Sequence, residues 1–169
     1  TEPYVDFGEM MAWKDDVVTR LTGGVETLCE ANGVSLASGT ARFIDERTAA
    51  ITSADGTVDE IKFDNAIVAT GSRPIELQGL SFDDDPILSS KQALDLDTVP
   101  QSLAIIGAGY IGMELSSVFA KLGTDVTVIE MESDVLPGYD SELTEPVKSR
   151  AEVFGVDFEF GHVATNWEP

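Results

Sequence analysis

The sequence has 169 residues, 43% of them hydrophobic, with 10 basic residues against 31 acidic ones for a formal charge of −21. That content is enough to bury a core, so disorder is excluded as the default, and the length suits one domain or parts of two. The acids are scattered along the chain, and such a surface repels phosphate backbones and anionic membranes, which excludes nucleic acid and lipid surfaces as partners.

Two sources of the acidity stand side by side. A solvated acidic coat keeps a salt-adapted (halophilic) protein soluble where long-range repulsion is screened, and low lysine usage favours this; the alternative is an ordinary acidic cytosolic protein. One cysteine, Cys29, rules out an internal disulfide, and one histidine, His162, leaves no set for a zinc site, so no metal ligands are expected. With neither a signal peptide nor a membrane-length apolar run, the expected location is cytoplasmic.

In chain order, residues 9–31 have helical spacing, with Trp13, Val17, Leu21, Val25 and Leu28 on one face. Gly23-Gly24 weakens that helix unless another backbone approaches closely. Short strands are predicted at 34–37, 42–44, 49–52 and 58–63, with Asp55-Gly56 turning between the last two. "NAIVAT" (65–70) reads as a buried strand ending at Gly71. Residues 72–100 are loop-like, with Pro74, Pro86, Pro100 and a short helix over 89–96.

After Pro100 strands and helices alternate: strand 103–106, helix 110–122 closed by Gly123, strand 125–130, helix 141–154, strand 156–160. The fold class is therefore α/β, and this second part has the pattern of one mononucleotide-binding half of a Rossmann-type, three-layer domain.

That half carries "GAGYIG", Gly107 to Gly112, between an apolar strand and a helix. Gly107 permits the tight turn, Gly109 leaves room for a pyrophosphate and Gly112 lets helix pack on strand, while the helix N-terminus attracts the phosphates. Ile111, Leu115, Val118, Phe119 and Leu122 are expected to face the sheet. Glu130 closes the next strand and can accept ribose hydroxyls; no arginine follows for a 2′-phosphate, so NAD is favoured over NADP. The competing reading is a glycine turn that only packs helix on strand.

Four stretches, "LTGGVETL" (21–28), "ATGSRPIEL" (69–77), "VPQSLAIIGAGYIGMEL" (99–115) and "VTVIEMESDVLPGYD" (126–140), resemble the pyridine nucleotide–disulfide oxidoreductases in order and spacing. The likeness is nearest to the branch that oxidises dihydrolipoamide with NAD+ in 2-oxoacid dehydrogenase complexes. The resemblance implies a two-cofactor enzyme using FAD and NAD, with residues 1–100 the β-rich C-terminal part of an FAD domain plus crossover. Residues 101–169 are then the first half of the NAD domain.

It further implies that Ala41 meets the FAD adenine and that Thr70, Gly71 and Ser72 lie beside the flavin. Gly107, Ala108, Gly109, Tyr110, Ile111, Gly112, Met113, Glu114 and Glu130 match the NAD segment, with Tyr110 at a nicotinamide gate and Glu114 near the flavin–nicotinamide contact. Glu114 also reads simply as a solvated helix residue. The family's paired redox cysteines and catalytic His–Glu pair have no counterpart here, so no catalytic residue is assigned. Cys29 reads as a small core residue and His162 as a loop residue without a partner carboxylate. The chain is thus expected to be an inactive internal slice of a homodimeric enzyme whose substrate is a lipoyl domain or a small molecule. Alternatives are another flavin-dependent NADH oxidase or disulfide reductase, or a non-catalytic dinucleotide-binding module.

Overall fold

A computed structural model describes residues 5–168, which form two compact units. One is Trp13–Arg73; the other takes the described residues before Trp13 together with those after Arg73.

The predicted first helix forms as α1, Phe7–Ala31. Asp6 caps it, its carboxylate accepting the Glu9 N–H at 3.0 Å, and Gly33, at φ +67°, ends it. No residue of α1 is buried; Trp13, Leu21, Val25 and Leu28 all stand exposed. A Cβ on Gly23 or Gly24 would meet nothing within 4 Å, so the close backbone approach expected there is absent. Cys29 is half-buried and unpaired by any disulfide.

Strands β1 (Thr40–Asp45), β2 (Thr48–Thr52) and β3 (Val58–Lys62) form an antiparallel meander in that order. The Asp55-Gly56 turn sits where expected: Thr52 pairs with Val58, Gly56 takes φ +85°, and the Asp55 carboxylate accepts the Thr57 N–H at 2.9 Å. Asp45 caps the β1–β2 turn in the same way through the Arg47 N–H at 2.8 Å.

Two predicted strands do not form. Residues 34–37 and 65–70 are irregular, and Ile67 is 94% exposed. A strand exists only as part of a ladder, and among the described residues no strand pairs with either segment. The apolar composition of "NAIVAT" suits burial, but no strand among the described residues supplies the neighbours.

The second unit contains the expected alternation. Strands β4 (Ser102–Ile106), β5 (Asp125–Glu130) and β6 (Val156–Phe160) are parallel, in the order β4-β5-β6. Helices α3 (Tyr110–Lys121) and α4 (Ser141–Val153) make the crossovers, and a four-residue helix α2 (Ser90–Ala93), held by a Ser89–Gln92 capping box, precedes them. Gly123, at φ +95°, follows the end of α3, as the sequence indicated.

The core is Val126 and Val128 from β5, both 0% exposed, packed with Met113, Phe119, Val135, Ala151 and Val156. Because side chains alternate along a strand, Thr127 and Ile129 point to the opposite face. There, with their β4 neighbours Ala104 and Ile106, they floor a cavity of about 950 Å³ whose other walls include Ile75, Phe82 and Trp167.

Of the predicted stripe on α3, Phe119 is buried and Leu115 and Leu122 pack against the core, but Ile111 and Val118 do not. Gly112, Met113, Ser116 and Phe119 are buried, whereas Ile111 and Val118 are about half exposed. Gly112 sets this phase, since it must face β4 for the close contact described below, and residues four and seven positions on follow it. Cationic side chains around α4 lie on rings, with Lys121 and Arg150 over Phe154 at 4.4 and 4.6 Å from its centroid. Such contacts act at short range and persist where salt screens longer-range attraction. Among the described residues no helix is long and apolar enough to cross a membrane, and no cluster of His, Cys, Asp or Glu is arranged to hold a metal.

Phe119→Ala, in the core, is expected to cost about 3–5 kcal/mol in a denaturant titration. Phe43→Ala, at a half-exposed edge contact with Phe63, should cost about 1 kcal/mol or less; equal losses would contradict this placement of the core. Hydrogen bonds from the Thr57 and Arg47 amides hold the Asp55 and Asp45 carboxyls below the ordinary carboxylate range. A lowered folded-state pKa contributes stability above the unfolded value that is lost as pH falls through the folded one. Asp55→Asn should therefore flatten the meander's acid sensitivity below the ordinary carboxylate range, as followed by an acid titration.

Candidate dinucleotide site

β4 runs straight into the glycine turn. The Gly107 N–H donates to the Ile129 carbonyl at 2.8 Å, which extends the β4–β5 ladder by one bond. Gly107 then takes φ +99°, a left-handed conformation that reverses the chain towards α3 and that a residue with a side chain rarely adopts. Gly109, at φ −70°, is the N-cap of α3, and no side chain caps the helix. A Cβ there would meet nothing within 4 Å, so the space above it is open. At Gly112 the situation is reversed: a Cβ would run into the Gly107 carbonyl oxygen. The three glycines thus sit in three different surroundings: a left-handed turn, an open space and a close backbone contact.

The first bond into α3 goes from the Met113 N–H to the Gly109 carbonyl at 2.9 Å. The N–H groups of Tyr110, Ile111 and Gly112 therefore lie free at the helix N-terminus, facing the open space beside Gly109. Aligned peptide dipoles give this end a partial positive charge, and it offers amide donors to an anion.

Behind the turn lies Glu130, at the end of β5 and only 6% exposed. Its Oε2 accepts the Ala108 N–H at 2.7 Å and its Oε1 accepts the Glu132 N–H at 2.9 Å. Its own carbonyl accepts the His162 N–H at 3.1 Å from the segment after β6. The carbonyl of Ala108 is taken as well, accepting the Leu136 N–H at 2.8 Å. Val135 beside it is 1% exposed, and Leu136 holds φ +51°. The 131–140 loop is thus docked on the turn. Sequence reasoning gave Val135 and Leu136 no role; the apolar "VLPG" inside an acidic stretch was the available signal.

The positions matched to NAD are brought together on one side of the sheet, at its carboxyl edge. Tyr110, 66% exposed, and Glu114, also exposed, stand on the first turns of α3 beside a smaller hollow that Met113 and Leu136 help to line. The side chains of Ala108 and Met113 are packed in the core. The positions matched to FAD are not assembled. Ala41 lies on β1 opposite Ile51, while Thr70, Gly71 and Ser72 follow one another in an exposed irregular stretch, Gly71 at φ +72°. These four line neither of the two cavities described. His162 is a loop residue as read, but a carboxylate does approach it: Glu159 lies 3.9 Å from Nδ1, which also contacts the Phe160 carbonyl at 2.8 Å.

The chain is 55% identical over 169 residues to dihydrolipoyl dehydrogenase 2 of Haloarcula marismortui, covering 99% of this chain and 36% of that protein. It is 53% identical to dihydrolipoyl dehydrogenase of Halobacterium salinarum (98% and 35% covered) and 42% identical to that of Geobacillus stearothermophilus (90% and 32% covered). The chain thus spans about a third of the length of these relatives. Among solved structures, LpdA of Mycobacterium tuberculosis superposes with a TM-score of 0.88 at 25% identity, covering 97% of this chain and 37% of that one. The HOCl-induced flavoprotein disulfide reductase RclA of Escherichia coli gives 0.81 at 26% identity, covering 96% and 37%. The sequence pattern of the pyridine nucleotide-disulphide oxidoreductases matches residues 2–169, and the chain belongs to that family.

Proposed function

We propose that this chain is part of an NAD-dependent dihydrolipoyl dehydrogenase, a flavoprotein that oxidises dihydrolipoamide with NAD+. The observation that carries the nucleotide half of this reading is the uncapped N-terminus of α3 with open space over Gly109. The substrate half is supported by the identity to haloarchaeal dihydrolipoyl dehydrogenases. Those relatives and the charge of −21 together favour a salt-adapted source.

In this reading residues 101–169 are the first half of the NAD domain and residues 1–100 the C-terminal part of the FAD domain with the crossover. The amides of Tyr110, Ile111 and Gly112 receive the pyrophosphate, Gly109 admits it without a side chain in the way, and the Glu130 oxygens keep lone pairs for ribose hydroxyls. Tyr110 and Glu114 stand on the nicotinamide side. Ala41, Thr70, Gly71 and Ser72 face FAD once the rest of the protein completes its site. FAD supplies the two-electron relay between the substrate dithiol and the nicotinamide.

Thiol–disulfide exchange needs two sulfurs, and this chain has one cysteine and one histidine, so the reacting groups lie outside these 169 residues. The homodimeric state, the cytoplasmic location and docking to a lipoyl domain are part of the same proposal. A second reading, a flavin disulfide reductase acting on another substrate, is favoured by the likeness to RclA.

Reduction of NAD+ by the intact protein, dependent on dihydrolipoamide, is the expected result and separates the two readings. NADH turnover indifferent to dihydrolipoamide would overturn the first. Two glycine variants test the turn. Gly109→Ala should fold like the parent, because its Cβ meets nothing, yet weaken NAD binding about tenfold or more in calorimetry by blocking the amide donors. Gly112→Ala should instead lower stability by about 1–3 kcal/mol, read as a fall in Tm, because its Cβ strikes the Gly107 carbonyl.

A further inference from the structure

Glu130 is the one charged side chain in the buried class among the described residues. A carboxylate whose sole task is to read a ribose needs to face the ligand. Here both oxygens instead face backbone amides from different segments, Ala108 of the glycine turn and Glu132 of the following loop, at 2.7 and 2.9 Å. We infer that Glu130 is a positioning residue: its carboxylate bridges these two amides and fixes the dinucleotide turn before a ligand arrives.

The surroundings make the bridge matter. Ala108 is 0% exposed and held from both sides, its N–H by Glu130 and its carbonyl by the Leu136 N–H at 2.8 Å. Gly107, one residue earlier, is tied to Ile129 through its N–H and pressed by Gly112 at its carbonyl. Any shift of Ala108 is therefore passed directly to Gly107 and Gly109, whose placement decides whether the α3 amides point at a phosphate. Buried hydrogen bonds to a charged acceptor are stronger than neutral ones, so one side chain can hold this much backbone. A second consequence is that the Ala108 amide is already engaged, which leaves Tyr110, Ile111 and Gly112 as the anion donors. The effect on binding rests on the nucleotide reading above; the bridge itself does not.

The test uses the intact protein carrying Glu130→Gln, which keeps one acceptor oxygen but sets an NH2 group against one of the two amides. Hydrogen–deuterium exchange without ligand should be roughly ten- to a hundredfold faster at the Gly107 and Ala108 amides of the turn, the loss of one hydrogen bond to a charged group, with the Val126 and Val128 strand unchanged. Calorimetry should then find NAD and its analogue lacking the adenosine 2′- and 3′-hydroxyls weakened by the same factor. Unchanged exchange in the turn overturns the inference, as does weakening confined to NAD, since Glu130 would then act only on the ribose. If neither ligand binds the parent protein, the nucleotide reading fails and the exchange comparison alone decides for or against the bridge. If the Gln variant does not fold, Glu130→Asp is read in the same way, because it keeps the charge but is one methylene too short to span both amides.

Discussion

Two hydrogen bonds at Ala108, one accepted by Glu130 at its N–H and one donated by Leu136 to its carbonyl, hold the glycine turn between the sheet and the 131–140 loop. Everything about the site follows from where they put that residue. With Ala108 fixed, Gly107 can take its left-handed conformation, α3 can start at Tyr110, and Gly112 can lie against the Gly107 carbonyl. The free amides at the head of α3 then point into open space instead of into a cap. The exchange of a buried carboxylate for two amide contacts is favourable only because both oxygens are satisfied; half of such a network would leave a buried charge uncompensated.

The two units differ in how much of their apolar surface is covered. Around β5 the helices cover one face, giving core residues of 0–4% exposure. In the other unit α1 buries nothing, the meander keeps only the small Thr48 and Ala50 buried, and Ile67 and Val68 stand in solvent. Apolar surface of this extent is unfavourable in water. The chain spans about a third of its relatives' length. A full-length flavoprotein provides, in the proposed reading, the strands and helices that cover these surfaces.

Much of the second unit was legible in the sequence because its order is local. The 107–112 glycines, the helix closed by Gly123 and the three parallel strands all follow from patterns within about thirty residues. The exposed "NAIVAT" segment was misread for the opposite reason: its apolar run records burial, but pairing depends on strands that the described residues do not provide. On α3, Leu115, Phe119 and Leu122 pack as the pattern indicated, but Ile111 and Val118 do not, because hydropathy alone ranked them above Gly112 and Ser116, whereas close packing on β4 selects the small residues. Glu130 was legible as the residue that closes a strand, but its bond to Ala108 spans 22 positions and depends on the docked loop, for which only Val135 and Leu136 gave a hint.

The account's central claim is that the head of α3 is an anion site shaped for a dinucleotide. A crystal structure of the intact protein with NAD tests it most directly. The account predicts the pyrophosphate over Gly109, within hydrogen-bond distance of the Tyr110, Ile111 and Gly112 amides, with the Ala108 amide still bound to Glu130. A pyrophosphate seated elsewhere, with those three amides left to water, would contradict it.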